Sequence, residues 1–226
     1  MIFTLPNALS PEQVAKIRSL SSQSGFVDGK QTAGPSVRHA KNNDKLAFDS
    51  DPAKAIDSEI NGTLRSNNDF NVITQPHKLS PFLVSRYGVG MRYGDHSDNA
   101  VLTGNDGQRS DMSMTIFLSD PTDYDGGELT LNTDLRPERY KLPAGHCVIY
   151  PTYFLHRVET VTRGERLAAV GWIQSEIRNP FRRQIIIDLA ISLSFFLNGT
   201  QEKAQHPEYI RLEKVYNNLR RQWIEI

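Results

Sequence analysis

Residues 146–174 read HCVIYPTYFLHRVETVTRGERLAAVGWIQ, and this stretch decides the fold class. It is rich in Val, Ile, Tyr, Phe and Thr, which suit a pleated, half-buried surface, and it is cut by Pro151 and by Thr162-Arg163-Gly164-Glu165. These breaks give candidate strands over 146–150, 154–161 and 166–174, the last two joined as a hairpin. Working outward, runs of the same kind at 81–87, 113–118 and 127–132, with a second hairpin turn at Asp125-Gly126-Gly127, extend the pattern. Short strands with such spacing and turn residues predict a mainly β fold, an antiparallel double-sheet jelly roll or double-stranded β-helix.

Helical patterns flank the strands. Ser10-Pro11-Glu12-Gln13 carries an N-cap, a proline in the first turn and the glutamine of a capping box, and Asp51-Pro52 repeats the start signal. Two N-terminal helices are expected. After Ile177 the helical period returns over 183–197, breaks at Asn198-Gly199 and resumes at Pro207, where Leu212, Val215, Leu219 and Trp223 predict a buried stripe packed against the sheet. The expected division is a jelly-roll domain over 1–176 and a helical appendage over 177–226. The polar connection from Asn99 to Asp111 has the length of a flap over a site.

Composition narrows the function classes. Of the 226 residues 26 are Lys or Arg and 26 are Asp or Glu, so no global field attracts nucleic acid or an anionic membrane. The longest apolar run, Ile185 to Leu197, is interrupted by Asp188, Ser192 and Ser194 and is shorter than the roughly 20 residues of a spanning helix. The start MIFTLPNALSPEQV lacks the basic and apolar regions of a secretory signal, so a cytoplasmic protein is expected, in which Asn61-Gly62-Thr63 and Asn198-Gly199-Thr200 carry no glycan. Cys147 is the single cysteine, which excludes an internal disulfide and multi-thiolate metal sites.

Any metal must therefore be held by histidines and carboxylates. His96-Ser97-Asp98 sets an imidazole and a carboxylate two residues apart, on one face of an extended segment, and His156 in the strand-like run Tyr150 to Val158 completes a set of three. Two histidines and one carboxylate leave open positions on one side of a cation, as in non-haem Fe(II) oxygenases, but the same set with a bound water makes a hydrolytic zinc site. Arg166, ten residues after His156, is placed on the adjacent strand of the hairpin, where its fork suits a carboxylate. Asp95 is a candidate hydrogen-bond partner for His96. His146-Cys147 reads as a buried structural pair, while His39, His77 and His206 lie in polar, exposed surroundings. Tyr150, Tyr153 and Phe154 read as packing aromatics that could also line an entrance.

The order Tyr87, Gly90, Tyr93, His96, Asp98, then Gly126-Gly127-Glu128-Leu129, Pro143-Ala144-Gly145, Tyr150-Pro151, His156, Arg166 and Trp172 resembles the Fe(II)/2-oxoglutarate dioxygenases of the prolyl hydroxylase type. Within them it is most similar to bacterial PKHD-type hydroxylases, a likeness that continues through Trp172-Ile173-Gln174-Ser175 to the tail Trp223-Ile224-Glu225-Ile226. The resemblance implies that His96, Asp98 and His156 ligate Fe(2+), that Arg166 anchors 2-oxoglutarate and that Tyr87 hydrogen-bonds its carboxylate. Phe117 stands near a position where relatives carry a second tyrosine. Dioxygen as co-substrate, L-ascorbate as the reductant of the iron, and hydroxylation of a C–H bond with release of succinate and CO2 are implied as well. A non-catalytic iron or 2-oxoglutarate sensor and a zinc hydrolase are the other readings.

Overall fold

The computed structural model describes residues 1–32, 38–102, 107–197 and 201–225. In chain order the strands are β1 (Phe3–Leu5), β2 (Phe26–Asp28), β3 (Lys41–Asn42), β4 (Asp44–Leu46), β5 (Pro76–Leu79), β6 (Leu83–Tyr87), β7 (Arg92–His96), β8 (Val101–Leu102) and β9 (Gln108–Arg109). They continue with β10 (Met112–Phe117), β11 (Tyr124–Gly126), β12 (Leu129–Asn132), β13 (Pro137–Tyr140), β14 (Cys147–Pro151), β15 (Leu155–Val158), β16 (Val161–Gly164) and β17 (Arg166–Ser175). The helices are α1 (Pro11–Ser22), α2 (Asp51–Ser66), α3 (Asn68–Thr74), α4 (Pro180–Leu197) and α5 (Pro207–Trp223).

Two sheets make the body. An eight-stranded sheet runs β1-β14-β10-β17-β6-β4-β2, with β5 also on β17, and a five-stranded sheet runs β13-β12-β15-β7-β3. All the pairings are antiparallel. The larger sheet sorts its side chains by the two-residue period of a strand. Met112, Met114 and Ile116 of β10, Cys147 and Ile149 of β14, and Leu167, Ala169 and Ile173 of β17 join one apolar cluster with Val14, Ile17, Ile56, Ile60, Leu64 and Phe70 of the N-terminal helices. The alternate residues of the same strands face the smaller sheet, where Phe117, Val148 and Tyr150 pack on Leu129 and Leu131. The double-stranded β-helix is thus built as expected, with one face of the larger sheet closed by helices and the other facing its partner.

Several local expectations change. There are three N-terminal helices, because Asn67 ends α2 and also caps α3 through Phe70 N–H. α1 has the expected capping box, whereas α2 is capped by Ser50, one residue before Asp51. Neither proposed hairpin exists: β16 pairs with β11, and β15 and β17 lie in different sheets. The glycines at the supposed turns instead let the chain bend between layers, and at Gly127 (φ +66°) a Cβ would clash with Val161 and crowd Tyr124 and Arg166.

The 99–111 connection carries the ribbon β8–β9, while residues 103–106, and with them part of the flap reading, lie outside the described residues. The break at Asn198-Gly199 lies outside them too. α5 packs mainly on α4, and its stripe is half-buried at best, with Val215 43% exposed. Arg220 fastens it to Glu176 at the end of β17 with a 2.6 Å ion pair. Cys147 is buried, but its neighbour His146 is half-buried, as is His77, while His39 and His206 are exposed. Among the described residues no helix is long and apolar enough to cross a membrane.

Candidate metal and co-substrate site

The site lies between the sheets. His96, the last residue of β7, and His156 in β15 are direct cross-strand partners, and their ring centroids are 4.2 Å apart. An irregularity in this pairing sets three steps along β7 against two along β15. Asp98 follows two residues past the end of β7. Its Oδ1 is 3.9 Å from His96 Nε2 and its Oδ2 is 3.6 Å from His156 Nε2, so the three donors predicted from sequence do come together.

Hydrogen bonds set the roles of the donor atoms. His96 Nδ1 is 2.8 Å from Gly94 O, and His156 Nδ1 is 3.0 Å from Phe154 O. A carbonyl only accepts, so each Nδ1 carries the proton and each Nε2 keeps a lone pair for the site. Burial, followed by the neighbouring His156, lowers the pKa of His96 to about 4, which keeps that imidazole neutral at pH 7. Asp98 Oδ2 accepts from Trp172 Nε1 (2.9 Å) and Ser113 Oγ (2.8 Å), which turns the carboxylate and leaves Oδ1 free of both. One donor atom from each residue lies within 4.8 Å of the other two, close enough for all three to reach one ion. The set fits a divalent metal such as Fe(II).

Across a cavity of about 100 Å³ from these donors stands Arg166, only 1% exposed. It comes from β17 of the larger sheet, so it faces His156 from the opposite layer instead of lying beside it in a hairpin. Tyr87 is its cross-strand partner on β6, and the rings of Tyr87 and Phe117 lie 5.2 and 5.5 Å from the guanidinium carbon. Among the described residues no carboxylate lies within ion-pair distance, and Arg166 Nε and the Tyr124 hydroxyl are buried without hydrogen-bond partners. A buried guanidinium in this state calls for an anion, and a carboxylate matches its fork. Burial pushes the Tyr87 phenol up to about 12, opposed by Arg166, so Tyr87 keeps its proton and can donate.

Three participants carried no readable sequence signal for the site. Tyr124 reaches Arg166 because β11 crosses beside β16. Lys41 lines the cavity from β3, over the Tyr93 ring that stacks on His96, and burial lowers its pKa to about 8. Ser113 looks in sequence like an ordinary solvent-facing position of an alternating strand. Asp95, by contrast, does not touch the His96 ring: it pairs with Arg157 (3.2 Å) and Asn132 on the outer face. Tyr150 is buried against His156, but Tyr153 is 66% exposed, so the aromatic cluster is split.

A family model described as the 2OG-Fe(II) oxygenase superfamily matches residues 82–174, which span His96, Asp98, His156 and Arg166. A PKHD-type hydroxylase of Picosynechococcus is 42% identical over 226 residues, and one of Thermosynechococcus vestitus is 40% identical over 228, each match covering both chains completely. A solved prolyl hydroxylase of Trichoplax adhaerens, in complex with a peptide fragment of hypoxia inducible factor, superposes with a TM-score of 0.60 at 16% identity, covering 77% of this chain and 84% of that one. That likeness concerns the fold, whereas the identity along the whole sequence fixes the family. The chain belongs to the PKHD-type hydroxylases of the 2OG-Fe(II) oxygenase superfamily.

Proposed function

We propose that His96, Asp98 and His156 hold the Fe(II) of this dioxygenase and that Arg166 and Tyr87 hold the carboxylate of 2-oxoglutarate remote from the metal. The observation that carries this assignment is the pairing, in one cavity, of a two-histidine, one-carboxylate donor set with a buried guanidinium that among the described residues has no carboxylate within ion-pair distance. When bound, Fe(II) supplies the redox chemistry that couples oxidative decarboxylation of 2-oxoglutarate, giving succinate and CO2, to hydroxylation of a C–H bond with dioxygen.

The chain's own residues supply geometry. Gly94 and Phe154 carbonyls hold the two imidazoles in the tautomer that presents Nε2. Trp172 and Ser113 hold Asp98, and Ser113 also reaches Thr152 at 3.1 Å, so the carboxylate is braced from the larger sheet. Arg166 pairs with the far carboxylate of the co-substrate, while Tyr87 donates to it. Leu129, Val158 and Val170 line the space between and keep water out.

In this reading residues 1–176 form the catalytic jelly roll, 177–226 are an appendage, L-ascorbate keeps the iron reduced, and the protein works in the cytoplasm. A zinc hydrolase would leave Arg166 without a role, and no observation favours a sensor. The test is succinate release by purified protein with Fe(II), 2-oxoglutarate and oxygen. Turnover that is absent in His96→Ala and in Arg166→Met supports the assignment; turnover unchanged by Arg166→Met overturns the role of the arginine.

A further inference from the structure

A second cavity, of about 410 Å³, meets the first at Asp98 and opens on the other side of it, within the size range of small-molecule sites. Its walls include Asp111, Thr152, Tyr153, Arg178 and Arg183. Arg183 enters from α4, whose start is fixed by Asn179 Oδ1 accepting from Phe181 and Arg182 N–H. A long helical side chain leans back toward the N-terminus of its helix, and Arg183 accordingly reaches the turn before α4, where Nη1 donates to Ile177 O at 2.8 Å.

Two carboxylates and two guanidiniums line this cavity, but both carboxylates are engaged elsewhere. Asp98 is committed to the metal in the reading above. Asp111 is gripped by Arg109 through two contacts of 3.3 and 3.2 Å and accepts from Ser175 N–H. Arg183 is 94% buried, since only 6% of its surface remains accessible, and among the described residues no carboxylate lies within ion-pair distance of it. Burial lowers its pKa, and the more distant Asp111 compensates only in part. Arg178 adds a second, exposed cation on the rim, and Tyr153 an exposed aromatic ring. A guanidinium buried as Arg183 is, on a cavity that shares Asp98 with the first, is suited to an anionic visitor.

We propose that this cavity binds the primary substrate and that Arg183, assisted by Arg178, receives a carboxylate of that substrate. The inference rests on the proposed metal and 2-oxoglutarate site. It makes the first turn of the C-terminal appendage a specificity element, lying outside the 82–174 span of the superfamily match. Arg166 then serves the co-substrate and Arg183 the substrate, each on its own side of the metal donors.

The test uses the full chain loaded with Mn(II) and saturating 2-oxoglutarate, so that the donor set and Arg166 are occupied. The probes are N-acetyl-L-leucine and hippurate, each beside its uncharged carboxamide. Paramagnetic broadening of probe protons reports binding near the metal. Both carboxylates are expected to be broadened at concentrations at least tenfold below their carboxamides. Arg183→Gln should weaken carboxylate binding at least tenfold, and Arg183→Lys should restore part of it. Neither should change the affinity for Mn(II) or 2-oxoglutarate. Should Arg183→Gln fail to fold, the exposed Arg178→Gln carries the test, with an expected loss of threefold or more. Equal broadening by carboxylate and carboxamide, no broadening by either, or variants that bind the carboxylates as wild type does overturn the substrate inference while leaving the metal site standing. Failure of the wild type to bind Mn(II) or 2-oxoglutarate removes the parent reading and this inference together.

Discussion

The two faces of the larger sheet serve different ends. One face of β10, β14 and β17 presents Met114, Ile116, Ile149 and Ala169 to the helices, and the other presents Ser113, Thr115, Tyr150, Arg166 and Trp172 to the site. Both are buried, so solvent exposure does not separate them. They are separated by what burial achieves on each side. The helix face gains free energy by removing apolar surface from water, and the site face gives some of it up to hold polar groups in place for ligands. Neighbouring residues in the chain therefore control different properties, and substitutions one position apart should separate stability from binding.

The sharpest break is at Arg166. Its charge is buried without a partner until a carboxylate arrives, so Arg166→Met should weaken 2-oxoglutarate binding by about 3–5 kcal/mol, a hundredfold to a few thousandfold. The ligand-free variant should be no less stable than wild type, because a buried unpaired charge is removed and the volume is nearly kept. Calorimetric titration with 2-oxoglutarate and thermal unfolding measure the two halves. A large drop in melting temperature would show that the site face supports the fold after all.

The helix face should behave in the opposite way. Met114 is fully buried among helix residues, and Met114→Ala should cost about 3 kcal/mol of unfolding free energy through lost burial and the cavity left behind. Affinity for 2-oxoglutarate, measured on the folded fraction, should stay within twofold. Denaturant unfolding, followed by titration well below the midpoint, checks both.

Across the gap, His96 tests whether the site face is held at a cost. Its pKa falls from 6.5 to about 4 on folding, so the unfolded chain binds more protons between these values. Stability of the metal-free protein is then full above pH 6.5 and is lost as pH falls toward 4, by about 2 kcal/mol between pH 7 and pH 5. Urea unfolding at a series of pH values should show this slope, and a His96→Asn variant should flatten it.

Much of this was legible in the sequence, and the failures have physical causes. The proposed ligands His96 and Asp98 declare themselves by proximity, and His156 and Arg166 by position in a strand-rich run. What joins them is not local. The step from His156 to Arg166 reads as a hairpin because a turn sequence lies between, but β16 takes that turn to β11 and returns the chain to the other sheet. Strand pairing over long separations leaves no trace in local periodicity, and Tyr124 and Lys41 were invisible for the same reason. Met112-Ser113-Met114-Thr115-Ile116 alternates as a half-exposed strand would, yet its polar residues face a site and not water. The stripe on α5 failed differently: an amphipathic period gives a helix an apolar face but does not name the partner that buries it, and Val215 remains 43% exposed.

The smallest expected effect is also the closest comparison, at the adjacent residues Trp172 and Ile173. Trp172 points to the site and donates from Nε1 to Asp98 Oδ2, while Ile173 is fully buried in the apolar cluster on the helix side. Trp172→Phe keeps a large ring but removes the donor, leaving Ser113 alone on that oxygen. The carboxylate then has more freedom to turn away from the two imidazoles, and metal affinity should fall about tenfold, at the lower end of the effect of removing such a bracing group. Ile173→Val removes one methylene from the packed face and should cost about 1 kcal/mol of stability without changing metal affinity. Calorimetric titration with Mn(II) compares both variants with wild type, and because Trp223 is the only other tryptophan, a Trp223→Phe background lets Trp172 fluorescence report Mn(II) binding in the wild type and in Ile173→Val. If Ile173→Val weakens Mn(II) as much as Trp172→Phe does, the two faces are mechanically coupled through the strand and the division between stability and binding fails at its narrowest point.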